Sequence, residues 1–103
     1  MSKSLKIVYY PAAQDDIKGI LNYISMDNPS AAISLIGKID ETIGSLSMFP
    51  HAGTIPSDNN LKSKNYRMLI IDSYIAFYII NETLSSVEIM RILSGRQNYI
   101  NIL

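Results

Sequence analysis

The spacing of apolar residues changes twice along the chain, and each change marks an element. Leu5–Tyr10 (L-K-I-V-Y-Y) is a short apolar, β-prone run closed by Pro11, which predicts a strand. From Ala12 to Asp27, Ala13, Ile17, Ile20, Leu21 and Ile24 recur mostly at intervals of three and four. Gln14, Asp15, Lys18 and Asn22 take the other side, as in an amphipathic helix. Asn28 is placed to cap a second helix and Pro29 to begin it. Its stripe is Ala32, Leu35, Ile36, Ile39, Ile43 and Leu46, and it should stop at Met48-Phe49-Pro50, since the residue before proline is pushed out of helical geometry.

His51–Lys64 is rich in turn formers (Gly53, Pro56, Ser57, Asp58, Asn59, Asn60) and reads as a polar loop. From Tyr66 onward the chain turns β-branched and aromatic. Two apolar runs meet at Asp72-Ser73, and a third follows a polar turn at Asn81–Ser86. Connectors that short permit only antiparallel pairing, so a three-stranded meander is predicted. Neither helix can bury its stripe alone. The predicted fold is therefore α+β, in the order β-α-α-β-β-β, with an αα-hairpin packed on one face of a small sheet.

Composition narrows this picture. At 103 residues the chain is expected to form one domain spanning 1–103, and its 48% apolar content is that of a globular protein. No apolar run nears the ~20 residues of a membrane helix, and Met-Ser-Lys-Ser-Leu-Lys lacks the apolar core of a signal peptide. No membrane association is expected, and the expected compartment is the cytoplasm. With no cysteine there is no disulfide framework and no thiolate metal site, and no cofactor motif is present. Nine basic and nine acidic residues cancel, so a polyanion could be attracted only by local clustering of charge.

Few residues carry candidate chemistry. The lone histidine, His51, reads as an exposed loop residue. Asp15-Asp16 and Asp40-Glu41 are adjacent on helices and point in different directions, so they serve the helix dipole and solubility rather than a metal. Tyr74 and Tyr78, four apart on one strand, read as packing residues. All three arginines, Arg67, Arg91 and Arg96, lie in the meander and its exit. By period two Arg91 shares a face with Val87, Ile89 and Leu93, where it needs either a partner, such as Asp72 or Glu88, or a place at a sheet border. Arg67 and Arg96 could reach the same end of the sheet, and Tyr99, near the end of the chain, is the candidate exposed aromatic. These four residues form the candidate target-binding set.

The ordered motifs Tyr9-Tyr10-Pro11-x-Ala13, Asn28-Pro29-x-Ala31-Ala32, Phe49-Pro50-x-x-Gly53, Tyr66-Arg67-Met68-Leu69 and Val87-x-Ile89-x-Arg91-Ile92-Leu93-x-Gly95-Arg96-Gln97 resemble the RelE/ParE superfamily. These are toxins of type II toxin–antitoxin systems, some acting in plasmid stabilisation. The resemblance implies a growth inhibitor neutralised by a cognate antitoxin protein. RelE-like members cut messenger RNA on the ribosome; ParE-like members inhibit DNA gyrase. Where the nucleases open a strand Gly-Tyr-Arg, this chain has Ser73-Tyr74-Ile75, and where many carry a histidine before Gly-Arg it has Ser94. Arg67 retains one of two expected cations. Both departures and the neutral charge favour the ParE-like branch and gyrase. The alternative is a RelE-like nuclease, with Arg67, Arg91, Arg96 and Tyr99 as its catalytic set and the ribosome with mRNA as its partner. A second alternative is an inactive antitoxin-binding relative. A free sheet edge also leaves a homodimer open.

Overall fold

The computed structural model describes residues 4–103. Strand β1 (Lys6–Tyr9) leads through Pro11 into helix α1 (Pro11–Ser25), and α2 (Pro29–Gly44) follows after a three-residue link. The Asn28 side chain accepts the Ala31 N–H at 3.1 Å and Pro29 occupies the first turn, so the second helix starts where the sequence places it. A 3₁₀ turn, Ser45–Ser47, closes the hairpin just before Met48.

The expected polar loop after Pro50 contains a short helix, α3 (Asn59–Ser63), which its turn formers conceal: Asp58 caps it by accepting the Leu61 N–H at 3.0 Å. Strands β2 (Arg67–Ile71), β3 (Tyr74–Asn81) and β4 (Ser86–Ser94) form the predicted meander, and a last helical turn, α4 (Tyr99–Ile102), ends the chain. Asp72, with φ of 55°, and Ser85, with φ of 51°, hold the two tight turns in the left-handed region that short polar side chains tolerate.

The sheet order is β1-β4-β3-β2. The αα-hairpin is long enough to carry the chain across, so β1 pairs with β4 in parallel while the other pairs are antiparallel. Helices α1 and α2 cover one face. Ala13, Ile20, Ile39, Ile43 and Leu46 meet Ile71, Ala76, Tyr78, Val87, Ile89 and Ile92 there. On the opposite face Ile75, Phe77 and Leu93 form a smaller core under Tyr66, Met68, Tyr99 and Leu103.

One register feature overturns the period-two reading of β4. Phe77 pairs with Arg91 but Tyr78 pairs with Ile89, so Met90 is an extra residue, a β-bulge. Val87 and Ile89 face the helices before it and Ile92 after it, while Leu93 faces the smaller core. Arg91 therefore does not share a row with Val87 and Ile89.

At the far end of β1 the half-buried Tyr9 hydroxyl donates to Asp40 Oδ1 at 3.1 Å, and burial, then Asp40, pushes its pKa well above the usual tyrosine value. The folded state thus favours the neutral ring. Its contribution is complete below the unfolded tyrosine pKa of about 10 and declines as pH rises beyond it. We expect stability of the wild-type chain to fall above that pH and to fall less for Tyr9→Phe, measured by urea unfolding across an alkaline series. Parallel curves would show that Tyr9 contributes nothing to the decline.

Candidate target-binding site

The three arginines occupy three different surroundings. Arg91 leaves β4 just after the bulge and grips Asp16 of α1 with two donors, Nε to Oδ2 at 2.7 Å and Nη2 to Oδ1 at 2.9 Å. The same Oδ2 accepts the Ile92 backbone N–H at 2.9 Å. Because β1 ends at Tyr9, opposite Ile89, the later part of β4 has no strand on that side, and the carboxylate takes the place of a strand carbonyl. The bidentate bond to Asp16 raises the Arg91 pKa further above its already high value. Arg91 is thus closed by a structural partner, and that partner is neither Asp72 nor Glu88. Asp72 instead pairs with Lys38 at 2.6 Å, and Glu88 accepts from Tyr10 and Asn81.

Asp16 was legible only in part. It lies three residues after Ala13 and four before Ile20, both buried, so it belongs on the apolar stripe rather than on the solvent side. A carboxylate in that row signals a partner on the element packed against it. Substituting Arg91 would therefore leave Asp16 short of its counter-ion, and the effect would mix folding with function.

Arg67 begins β2 and donates from Nη1 to the Gly53 carbonyl at 2.8 Å. Its cross-strand neighbour Tyr78 is fully buried and completes a clamp, donating to the Pro50 carbonyl at 2.7 Å and accepting the Gly53 N–H at 2.9 Å. Burial pushes the Tyr78 pKa up, with Gly53 and Arg67 opposing. The Phe49-Pro50-x-x-Gly53 segment is therefore held by side chains from two strands, and Arg67 acts as a loop anchor.

Tyr99 is not the exposed aromatic expected from its position. Its ring lies against Phe77 with centroids 5.0 Å apart, and Tyr66 meets Phe77 edge-on at 6.3 Å. The apolar cluster formed by Ile75, Phe77 and Leu93 supplies the surface that holds it.

Arg96 differs from the rest. It sits exposed on the turn after β4, which is fixed by Gln97 Oε1 accepting the Ser94 N–H at 2.8 Å and by the Gly95 N–H donating to Ser73 O at 2.8 Å. Among the described residues its guanidinium has no hydrogen-bond or ion-pair partner. Beside it runs an open groove of about 690 Å³, walled by Asp15, Gly19 and Tyr23 of α1 and by Ser73 at the β2–β3 turn. His51 is exposed on the loop after the hairpin. No cluster of three or more His, Cys, Asp or Glu side chains able to hold a metal occurs among the described residues.

A helical hairpin on a four-stranded sheet is a fold found in solved toxin–antitoxin proteins. Two such structures are similar in fold. One is described as the chromosomal ParDE TA system from P. aeruginosa: 18% identity, TM-score 0.72, covering 90% of this chain and 98% of that one. The other is the toxin–antitoxin complex RelBE2 from Mycobacterium tuberculosis: 16% identity, TM-score 0.63, covering 88% and 98%. No curated protein matches the chain. Its sequence matches the family described as the ParE toxin of type II toxin–antitoxin system, parDE, over residues 7–99. The chain belongs to that family, and so to the ParE branch of the RelE/ParE superfamily.

Proposed function

We propose that this toxin arrests growth in the cytoplasm by binding DNA gyrase, and that a cognate antitoxin protein neutralises it. One observation carries the reading: of the candidate set only Arg96 is free to engage a target. Cutting RNA requires a base for the ribose hydroxyl and a donor for the leaving oxygen, positioned around the phosphate. Here Arg91 is closed on Asp16, Arg67 on Gly53 and Tyr99 on Phe77, and Ile75 is buried where a nuclease carries a cation. What is left is a charge on an exposed turn, suited to recognition rather than to proton transfer. No described helix is long and apolar enough to cross a membrane.

The purified protein is expected to inhibit gyrase supercoiling, and mRNA from arrested cells should show no new codon-phased ends by primer extension. Codon-phased cleavage would instead assign the RNA-cutting activity. Arg96→Ala is expected to weaken supercoiling inhibition roughly tenfold or more, since an arginine central to an interface commonly carries that much affinity. Its melting temperature should stay at the wild-type value. An Arg96→Ala protein of full potency would remove Arg96 from the contact.

A further inference from the structure

β4 is nine residues long and β1 only four, so β1 covers Ser86–Ile89 and leaves the later half of β4 open. Two outward N–H groups on that half are held by side chains standing in for a strand. Ile92 donates to Asp16 and Ser94 donates to Gln97. The two stand-ins differ. Asp16 is fixed by its bidentate bond to Arg91 and is largely shielded, whereas the Gln97 side chain is exposed and holds the Ser94 N–H by one bond. The turn itself is closed separately by the Gln97 N–H donating to the Ser94 carbonyl at 3.0 Å. One acceptor is therefore permanent and the other replaceable.

The groove described above lies against this half-edge. Ile20 and Ile92, both buried, form its apolar floor, and Gly19 leaves open space where any other residue would carry a side chain. Arg96 stands at its rim without a partner among the described residues. An occupant matching these features presents a backbone carbonyl to Ser94, a carboxylate to Arg96 and an apolar side chain to the floor. Asp15 on the α1 rim disfavours a second acid at its own end.

We propose that this half-edge takes an extended acidic segment of the target enzyme as an added strand, displacing Gln97 from Ser94. The proposal rests on the gyrase reading and adds the mode of contact: backbone hydrogen bonds supply affinity, and Arg96 selects the acid.

Supercoiling inhibition by full-length variants tests it. Ser94→Pro removes the outward N–H at an extended position, where proline fits a strand border, and leaves the β3–β4 ladder intact. Ser94→Ala keeps the N–H and controls for the hydroxyl, which accepts from the Arg96 N–H. Melting temperatures establish that each variant is folded. We expect Ser94→Pro to lose about tenfold or more in potency relative to Ser94→Ala, Arg96→Glu to lose about as much relative to wild type, and Gln97→Ala to match or exceed wild type. Hydrogen exchange at the Ser94 amide should slow in the Gln97→Ala complex with gyrase.

A folded Ser94→Pro protein that inhibits as well as Ser94→Ala overturns the added strand while leaving the gyrase reading in place. If that protein also loses its co-purifying antitoxin, the edge belongs to the antitoxin instead. Wild type failing to inhibit gyrase removes the reading and the proposal together. If Ser94→Pro is unfolded, the decision falls to the Ser94 amide in the Gln97→Ala complex, where unchanged exchange overturns the proposal.

Discussion

Asp16→Ala is expected to destabilise the chain by about 2–3 kcal/mol, among the largest effects available to a single side chain outside the hydrophobic core. Three bonds end on this carboxylate, two from Arg91 and one from the Ile92 N–H. Removing one partner of a shielded ion pair strands the other, and here it also strands a backbone donor beside the bulge. The pair is only partly buried, with the arginine side chain 29% and the carboxylate 14% exposed, which places the cost below the full range for a buried pair. In a chain of this size the melting temperature should drop by roughly 10–20 °C. Asp16→Asn keeps an acceptor for Ile92 and should recover about half of the loss, with Arg91 weakly held. The double variant Asp16→Leu/Arg91→Met should be closer to wild type than Asp16→Ala, because neither charge is then left without its partner. Thermal unfolding of the four proteins checks the order. Equal stability of Asp16→Ala and wild type would show that water replaces the carboxylate at no cost.

The parts of this fold that were legible in the sequence are those written in local chemistry. Pro11 and Pro29 begin helices, Asn28 caps one, and Asp72-Ser73 turns the chain in two residues. These signals lie within a few residues of what they control. The missed features depend on contacts between elements. The Met90 bulge adds one residue to β4, and its only trace in sequence is that Val87 and Ile89 are two apart whereas Ile92 and Leu93 are adjacent. Period two read through that point put Arg91 in the wrong row.

The pairing of Asp16 with Arg91 joins residues 75 apart in sequence. Only the stripe position of Asp16 hinted at it. Tyr99 was misread for a related reason: chain ends are commonly exposed, but here Phe77 and Leu93 supply an apolar surface on the face the hairpin leaves uncovered. The candidate site changes accordingly. Three of its four members hold the fold together, and Arg96 is the one that faces outward.

Gly53→Ala is expected to have the other large effect, a loss of about 3 kcal/mol, through steric overlap at a place that has no slack. An added Cβ would lie 2.6 Å from the Tyr78 hydroxyl oxygen, 2.8 Å from Tyr78 Cε1 and 2.8 Å from the Met68 carbonyl oxygen. None of these atoms is free to retreat. Tyr78 is fully buried and bonded at its hydroxyl to Pro50 and Gly53. The Met68 carbonyl accepts the Thr54 N–H at 2.9 Å in the bridge that joins the loop to β2. The loop must move instead, which breaks the bond from Arg67 to Gly53 and both bonds of Tyr78. Tyr78→Phe alone should cost about 1–2 kcal/mol, since it leaves the buried Gly53 N–H and the Pro50 carbonyl without that partner. Combining the two should cost less than their sum: the ring without its hydroxyl clears the closest overlap, while the contacts with Cε1 and Met68 persist. Urea unfolding of the two single variants and the double variant measures this coupling. Strict additivity would mean that the loop yields to the methyl group independently of Tyr78. A Gly53→Ala protein as stable as wild type would mean that the clamp does not hold the loop.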